Sequence, residues 1–117
     1  MHNAKTLKEN AMPAYVLSMM SIIDPERFRK YTDKTPPTVA KYGGRFLARG
    51  NPVETLEGEA YKGRLVILEF PNAQAAKDCC SDPLYQELSE HRREASEFSN
   101  LYMIDGDDNT KNPDAKV

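Results

Sequence analysis

Three side chains on the last predicted helix could act together on a small molecule. Tyr85 and Arg92 are seven residues apart, so they project from the same face of a helix two turns apart, and His91 follows on the neighbouring stripe. They would supply a phenol, an imidazole that titrates near neutral pH and a permanent cation suited to a carboxylate or enolate. We therefore predict catalytic roles for these three residues. The alternative is that Tyr85 packs its ring, Arg92 pairs with a glutamate and His91 lies half-buried at the surface.

A second candidate group consists of charged residues on the predicted middle strands. Arg45 and Arg49 would share one face of a strand, because side chains alternate with a period of two. Glu69 interrupts an apolar run, where an unpaired carboxylate is costly, so it needs a partner. Arg49 and Glu69 are predicted either to form an arginine–glutamate bridge or dimer contact, or to bind a ligand.

Two tyrosines, Tyr31 and Tyr42, lie on the apolar stripe of the first predicted helical segment and should face the sheet. This position is typical of core residues. A tyrosine hydroxyl at the rim of a pocket under that helix could also donate to a ligand oxygen, and Tyr42 is included as a ligand-binding candidate for that reason.

The strands that must position these residues are clearest in two long apolar runs. Residues 15–23 and 64–70 are apolar on both alternating sets of positions, which is typical of central strands. Weaker patterns predict further strands at residues 45–49 and 101–104. A continuation of the former past a bulge into residues 53–56 is also expected.

The helices are indicated by carboxylate–proline and glycine signals. Asp24-Pro25 and Asp82-Pro83 each combine a capping carboxylate with a proline at the first helical position. Pro36-Pro37 should split the first helix into two pieces, with Thr35 capping the second. Gly43-Gly44 ends that piece. Further helices are predicted at residues 73–80 and 84–98.

The resulting order, strand-helix-strand-strand-helix-strand, predicts an α+β ferredoxin-like fold. Its four-stranded antiparallel sheet carries helices on one face. The other apolar face then needs a cover, and a second copy of the chain is the simplest one. We expect one domain at residues 12–106, between a polar N-terminal extension (residues 1–11) and a polar C-terminal tail (residues 107–117).

Composition argues against several classes of function. With 16 basic and 18 acidic residues the net charge is −2, and no basic stripe is present that would bind nucleic acid. The adjacent Cys79 and Cys80 are typical of reduced thiols, and no signal peptide or membrane span is apparent. These features predict a cytoplasmic protein. We expect neither a metal nor a cofactor, because phosphate-binding loops, HExxH and GxSxG motifs are missing from the sequence and histidines are few.

Several motifs, taken together, resemble those of a bacterial family of domains of unknown function, the one numbered thirteen-thirty. The resemblance spans about residues 12–106 and rests on Asp24-Pro25, Pro36-Pro37, Lys41-Tyr42-Gly43-Gly44-Arg45-Phe46, Gly50-x-Pro52-Val53-Glu54, Leu56-Glu57-Gly58, Glu69-Phe70-Pro71 and Asp82-Pro83-x-Tyr85 with Arg92. Tyr85 and Arg92 match the family pattern, whereas His91 occupies a position that looks apolar in it.

The resemblance implies a dimeric α+β barrel, in which two ferredoxin-like subunits place their sheets face to face. Relatives in that superfamily include cofactor-free monooxygenases, muconolactone isomerases and haem-dependent chlorite dismutases, so the fold implies no single chemistry. The leading hypothesis is a homodimeric, cofactor-independent enzyme that acts by proton transfer or oxygenation on a small anionic or enolisable compound. The alternative is a non-catalytic dimer that binds a metabolite or serves as an interaction module.

Overall fold

The computed structural model describes residues 12–106, so the predicted extensions lie outside the described residues. The elements, in chain order, are β1 (Ala14–Ile22), α1 (Pro25–Thr32), α2 (Thr35–Lys41), β2 (Arg45–Arg49), β3 (Arg64–Phe70), α3 (Ala73–Ser81), α4 (Pro83–Glu94) and β4 (Ser96–Asp105). None of the helices within residues 12–106 has the length and apolar character needed to cross a membrane.

The four strands form one antiparallel sheet in the order β2-β3-β1-β4. The two longest apolar runs therefore occupy its centre, as predicted. The α+β ferredoxin-like arrangement is confirmed, because the helices pack on one face of this sheet.

The covered face of the sheet carries the core. Alternate residues of the central strands are buried there, including Val16, Met20 and Leu68. The helices and the cap of α4 add the remaining apolar side chains of the two buried clusters, which are Phe28, Val39, Ala76, Cys79 and Ala95. The positions between the buried ones point to the opposite face.

The opposite face, which we call the open face, is apolar and only partly shielded. Leu17 lies at its centre, opposite Ile67 on β3 and Tyr102 on β4. Along β4 the exposed side chains include Phe98 (39%), Tyr102 (57%) and Ile104 (62%). The other apolar residues of this face, by strand pairing, are Tyr15, Met19 and Leu65.

A bulge in β2 changes which face each arginine joins. Arg45 pairs with Glu69 on the open face, but the register shifts between Phe46 and Ala48, and Arg49 then lies opposite the buried Val66. The prediction that Arg45 and Arg49 share a face is wrong for this reason. Arg49 is on the side of the helices.

Helix α4 ends at Glu94, not at residue 98 as predicted. Ala95 caps it, and its carbonyl accepts hydrogen bonds from the backbone N–H groups of Ile23 and Asp24. Residues from Ser96 onward pair with β1 instead of continuing the helix. Tertiary pairing thus overrides the helical pattern of this segment.

Two smaller predictions also differ from the structure. Residues 53–56 form no strand, since β2 ends at Arg49 and the chain then runs through an exposed loop to residue 60. The helix is split as predicted, but Thr35 does not cap α2. Its hydroxyl donates back to the carbonyl of Tyr31 at 3.0 Å.

Candidate functional site

An apolar cavity lies between the sheet and the helices. Its volume is about 30 Å³, which is room for about two water molecules. Most of its wall is aliphatic or aromatic, and its polar lining is Ser18, Tyr31, Thr32, Thr35, Arg49, Arg64, Cys79, Cys80 and Tyr85. Elements from both layers therefore contribute polar groups to one space between sheet and helices.

The guanidinium of Arg92 organises the polar end of this cavity. Arg92 is 4% exposed, and its Nη1 donates to the hydroxyls of Tyr85 at 3.0 Å and Tyr31 at 3.2 Å. The same nitrogen lies 3.3 Å from the hydroxyl of Ser89, while Nε donates to Ser99 at 3.0 Å. Helix α4 thus places its arginine against the tyrosine of α1 and the inner face of β4.

The two tyrosine hydroxyls also bond to each other, with 2.9 Å between their oxygens. Only one of the two O–H groups can donate in that bond. Arg92 can only donate, so both phenol oxygens accept from it. One phenolic proton is therefore left without an acceptor among the described residues, at a position that lines the cavity.

The protonation of this cluster suits a donor and not a base. Burial raises the pKa of Tyr85 and outweighs the opposing effect of the Arg92 charge, so the phenol keeps its proton near neutral pH. Burial also opposes the charge of Arg92, but Tyr31 and Tyr85 more than compensate, and its pKa is raised. The cluster presents a neutral O–H supported by a fixed cation.

A comparison with family models shows where the chain belongs. The model described as Domain of unknown function (DUF1330) matches residues 13–107. The chain belongs to this family. The predicted family resemblance is confirmed, whereas a search of curated proteins found no match.

Solved structures with a similar fold share little sequence with this DUF1330 member. RPA0582, a protein of unknown function from Rhodopseudomonas palustris, has a TM-score of 0.67 at 20% identity, with 89% of this chain and 93% of that chain covered. SnoaB, a cofactor-independent oxygenase from Streptomyces nogalater, has a TM-score of 0.55 at 15% identity, with 80% and 91% covered. At these identities the likeness shows the fold alone.

In this DUF1330 member, His91 does not join Tyr85 and Arg92. Its Nδ1 accepts a hydrogen bond from Nε of Arg27 at 3.2 Å, and it lies in a surface groove between α1 and α4. Residues 91 and 92 are adjacent on the helix, so their side chains point about 100° apart. The expectation of one pocket bordered by all three residues is therefore corrected for His91.

The ligand-binding candidates are separated in the same way. Of the three, only Arg49 lines the cavity. Glu69 is on the open face, where it accepts from Arg45 at 2.9 Å, so it forms the cross-strand bridge of the alternative interpretation. Tyr42 donates to Asp82 at 2.6 Å, which ties it to the start of α4.

Tyr31 lines the cavity, although the sequence favoured a core position for it and offered a ligand donor only as the alternative. Its position on the apolar stripe of α1 is correct, but its hydroxyl reaches past that stripe to Tyr85 and Arg92. Tyr31 precedes Tyr85 by 54 residues, and no local sequence pattern links residues that far apart. Only the packing of α1 against α4 brings them together.

Asp82 fixes the start of the helix that carries Tyr85 and Arg92. Its carboxylate accepts from the backbone N–H groups of Leu84 at 2.9 Å and Tyr85 at 3.2 Å, as well as from Tyr42 and Lys41. The hydrogen bond from Tyr42 is the main cause that lowers the pKa of Asp82 to about 2.

We expect Asp82→Asn to remove part of the acid sensitivity of the fold. A carboxylate with a lowered pKa stabilises the native state above its unfolded pKa of 3.8, and this contribution is lost as the pH falls towards 2. The melting temperature of the wild type should therefore fall more steeply over this range than that of the variant. Asp78→Asn, which removes an exposed carboxylate from α3, is the control. Equal slopes for wild type and Asp82→Asn would contradict the prediction.

Proposed function

We propose that this protein binds a small ligand between sheet and helices, with an oxygen atom of the ligand accepting the spare phenolic proton of the Tyr31–Tyr85 pair. The observation that carries the proposal is the cluster of Arg92, Tyr31 and Tyr85, which we call the hub. Arg92 donates to both tyrosine hydroxyls at the cavity. A donor of this kind favours a carbonyl that gains negative charge, or an oxygen that is already anionic, such as an enolate.

The cavity contains donors but no evident base. None of its described lining residues is an aspartate, a glutamate or a histidine. Burial raises the pKa of Cys79 to about 12, so this thiol is not a base at neutral pH either. Such a site stabilises an enolate but does not form one by taking a proton.

Catalysis at this site is therefore confined to compounds that ionise readily by themselves. Cofactor-independent oxygenation or isomerisation of such a compound fits the donors, and SnoaB is a cofactor-independent oxygenase with this fold. A fold hosts many chemistries, so the relative adds no residue to the argument. The second candidate is a non-catalytic metabolite-binding or interaction module, which the lack of a base in the cavity lining favours.

Loss of both phenol hydroxyls is expected to weaken ligand binding. A thermal-shift screen of small carboxylates and lactones would supply hits, because a ligand at 100 times its Kd adds ~2.7 kcal/mol of stability. Each single variant, Tyr85→Phe or Tyr31→Phe, leaves one phenol whose proton is free for the ligand, so the double variant Tyr31→Phe/Tyr85→Phe is the one that should weaken a hit about tenfold, since a hydrogen bond to a charged group is worth about 1.5 kcal/mol or more.

The control for this experiment is Tyr102→Phe, which removes a hydroxyl from the open face. It should leave the affinity unchanged. Hits that bind the double variant Tyr31→Phe/Tyr85→Phe as tightly as the wild type would refute the proposed site, and turnover of a hit in oxygenated buffer would separate enzyme from binding module.

The open face supports a further part of the proposal, that the protein is a homodimer. Its apolar side chains remain partly exposed, and covering a few hundred Å² at about 25 cal/mol per Å² is worth several kcal/mol. A second copy packed on the open face would cover these side chains.

A further inference from the structure

Two arginines stand at the outer end of the cavity. Arg49 and Arg64 line the cavity and also the surface groove outside it, together with Phe28 and Thr32. The bulge in β2 brings Arg49 to this side of the sheet, and Arg64 begins β3 next to it. The mouth of the cavity is therefore marked by two positive charges from neighbouring strands.

Both guanidinium groups are held in place by neutral neighbours. Arg49 donates from Nη2 to the carbonyl of Thr32 at 2.9 Å and lies 4.4 Å from the ring centre of Phe46. Arg64 lies 5.4 Å from the ring centre of Phe28. It also rests against Gly50, where a Cβ atom would clash with its Nη1. The absence of a side chain at Gly50 makes room for this guanidinium.

The positive charge at the mouth is not neutralised within residues 12–106. No described carboxylate comes within 4.0 Å of Arg49, Arg64 or Arg92, whereas Arg45 on the open face is bridged to Glu69. Nε of Arg64 is buried and has no hydrogen-bond partner among the described residues. Burial lowers the pKa of Arg64 and the nearby charge of Arg49 lowers it further, so the free protein holds this cation at a cost.

Arg64 has a buried donor without a partner among the described residues, and no described carboxylate neutralises Arg64 or the adjacent Arg49. Together these features favour the binding of an anion. Planar guanidinium groups match the two oxygens of a carboxylate. The aromatic ring of Phe28 and the apolar cavity wall beside them suit a hydrocarbon body. Phosphate, which has no such body, would make little use of this wall.

We propose that Arg49 and Arg64 form a carboxylate subsite at the mouth of the cavity, so that the ligand is a small oxo acid. Its carboxylate lies between the two arginines in the surface groove and its hydrocarbon body lies against Phe28. Only its carbonyl or enolate end enters the cavity, which has room for about two water-sized groups, and reaches the hub of Tyr31, Tyr85 and Arg92. This inference rests on the proposed function for the oxygen at the hub. The carboxylate subsite itself depends only on the two strand arginines.

Three matched compounds test the two ends of the site separately in the full chain. Levulinate carries both oxygen functions, valerate only the carboxylate, and methyl propyl ketone only the carbonyl. Homologues of levulinate with one or two further methylene groups between the carboxylate and the carbonyl test other distances between the two ends of the site. Binding is measured by NMR titration at low ionic strength, because salt screens the charges of the exposed mouth. At least one of the oxo acids should bind more tightly than either single-function compound.

Variants at the mouth and at the hub show which end of the site causes each loss of affinity. Arg49→Gln should weaken oxo acids and valerate about tenfold and leave the ketone unchanged. The double variant Tyr31→Phe/Tyr85→Phe, which removes both phenolic donors, should weaken the oxo acids and the ketone but not valerate. Arg93→Gln removes an exposed arginine of α4 and is the charge-matched control.

The outcomes distinguish the two proposals. Oxo acids that depend on the two tyrosines together but bind Arg49→Gln and Arg64→Met like the wild type would refute the carboxylate subsite and leave the proposed function intact. Carboxylates that depend on the arginines but not on the tyrosines would refute the hub and keep the subsite. If no oxo acid binds, or if Arg93→Gln weakens binding equally, the subsite is refuted.

A stability measurement tests whether Arg64 has only a structural role. The buried Nε of Arg64 has no partner among the described residues, so Arg64→Met, which puts an apolar side chain beside Phe28 in place of the guanidinium, should melt at or above the wild-type temperature while losing affinity for valerate. A structural arginine would show the reverse. A marked fall in melting temperature would therefore count against the subsite.

Discussion

Replacing Leu17 by lysine is expected to convert a homodimer of this protein into monomers at micromolar concentration. Leu17 lies at the centre of the open face, opposite Ile67 and Tyr102. A second sheet packed on this face would bury the new ammonium group without a partner, which costs several kcal/mol. Each 1.4 kcal/mol weakens association tenfold, so the dimer should weaken by more than about a hundredfold. Sedimentation velocity over a range of protein concentrations measures this change.

Leu84→Lys is the matched control for this experiment. Leu84 is 51% exposed on α4, on the helical side of the molecule, so the same substitution adds the same charge away from the open face. It should leave the sedimentation coefficient of the dimer unchanged. If the wild type is a monomer at the same concentrations, or if Leu17→Lys remains dimeric, the sheet face is not the interface.

The architecture was predictable wherever a signal was local and strong. The runs at residues 15–23 and 64–70 are apolar on both faces, and the sheet places them in its centre. The Asp82-Pro83 signal likewise marks the start of α4. The end of that helix was not predictable, because Ser96 and the residues after it have a helical pattern but pair with β1. Their state depends on a strand about 75 residues away, which sequence spacing does not reveal.

The candidate site was predictable only in part, for a related reason. The seven-residue spacing correctly placed Tyr85 and Arg92 on one side of α4, and they meet at 3.0 Å. The same reasoning included His91, although adjacent helical residues diverge, and missed the hydroxyl of Tyr31. The side of the sheet that Arg49 joins is decided by a bulge that shifts the register by one residue. Small changes in register therefore decide which charges reach the cavity.

The arginines at the two ends of the cavity differ in their hydrogen-bond partners. At the inner end, the cation of Arg92 is surrounded by hydroxyl groups that satisfy it. At the mouth, the cation of Arg64 has a buried nitrogen without a partner within residues 12–106. The inner arginine should therefore stabilise the fold, whereas the outer one should not. Substitution of each arginine by methionine should shift stability in opposite directions.

Replacing Arg92 by alanine is expected to destabilise the protein by about 3 kcal/mol, because it leaves a cavity and removes the donor that the hydroxyls of Tyr31, Tyr85, Ser89 and Ser99 share. Arg92→Met fills most of that space but restores no hydrogen bond, so it should remain less stable than the wild type. Urea unfolding at one fixed protein concentration measures both variants, since the stability of a dimer depends on concentration. Arg93→Ala, one residue further along α4 and exposed, should change stability by no more than about 0.5 kcal/mol. If Arg92→Met were as stable as the wild type, the hydrogen bonds of the hub would add nothing to the fold, and the contrast between the two ends of the cavity would be lost.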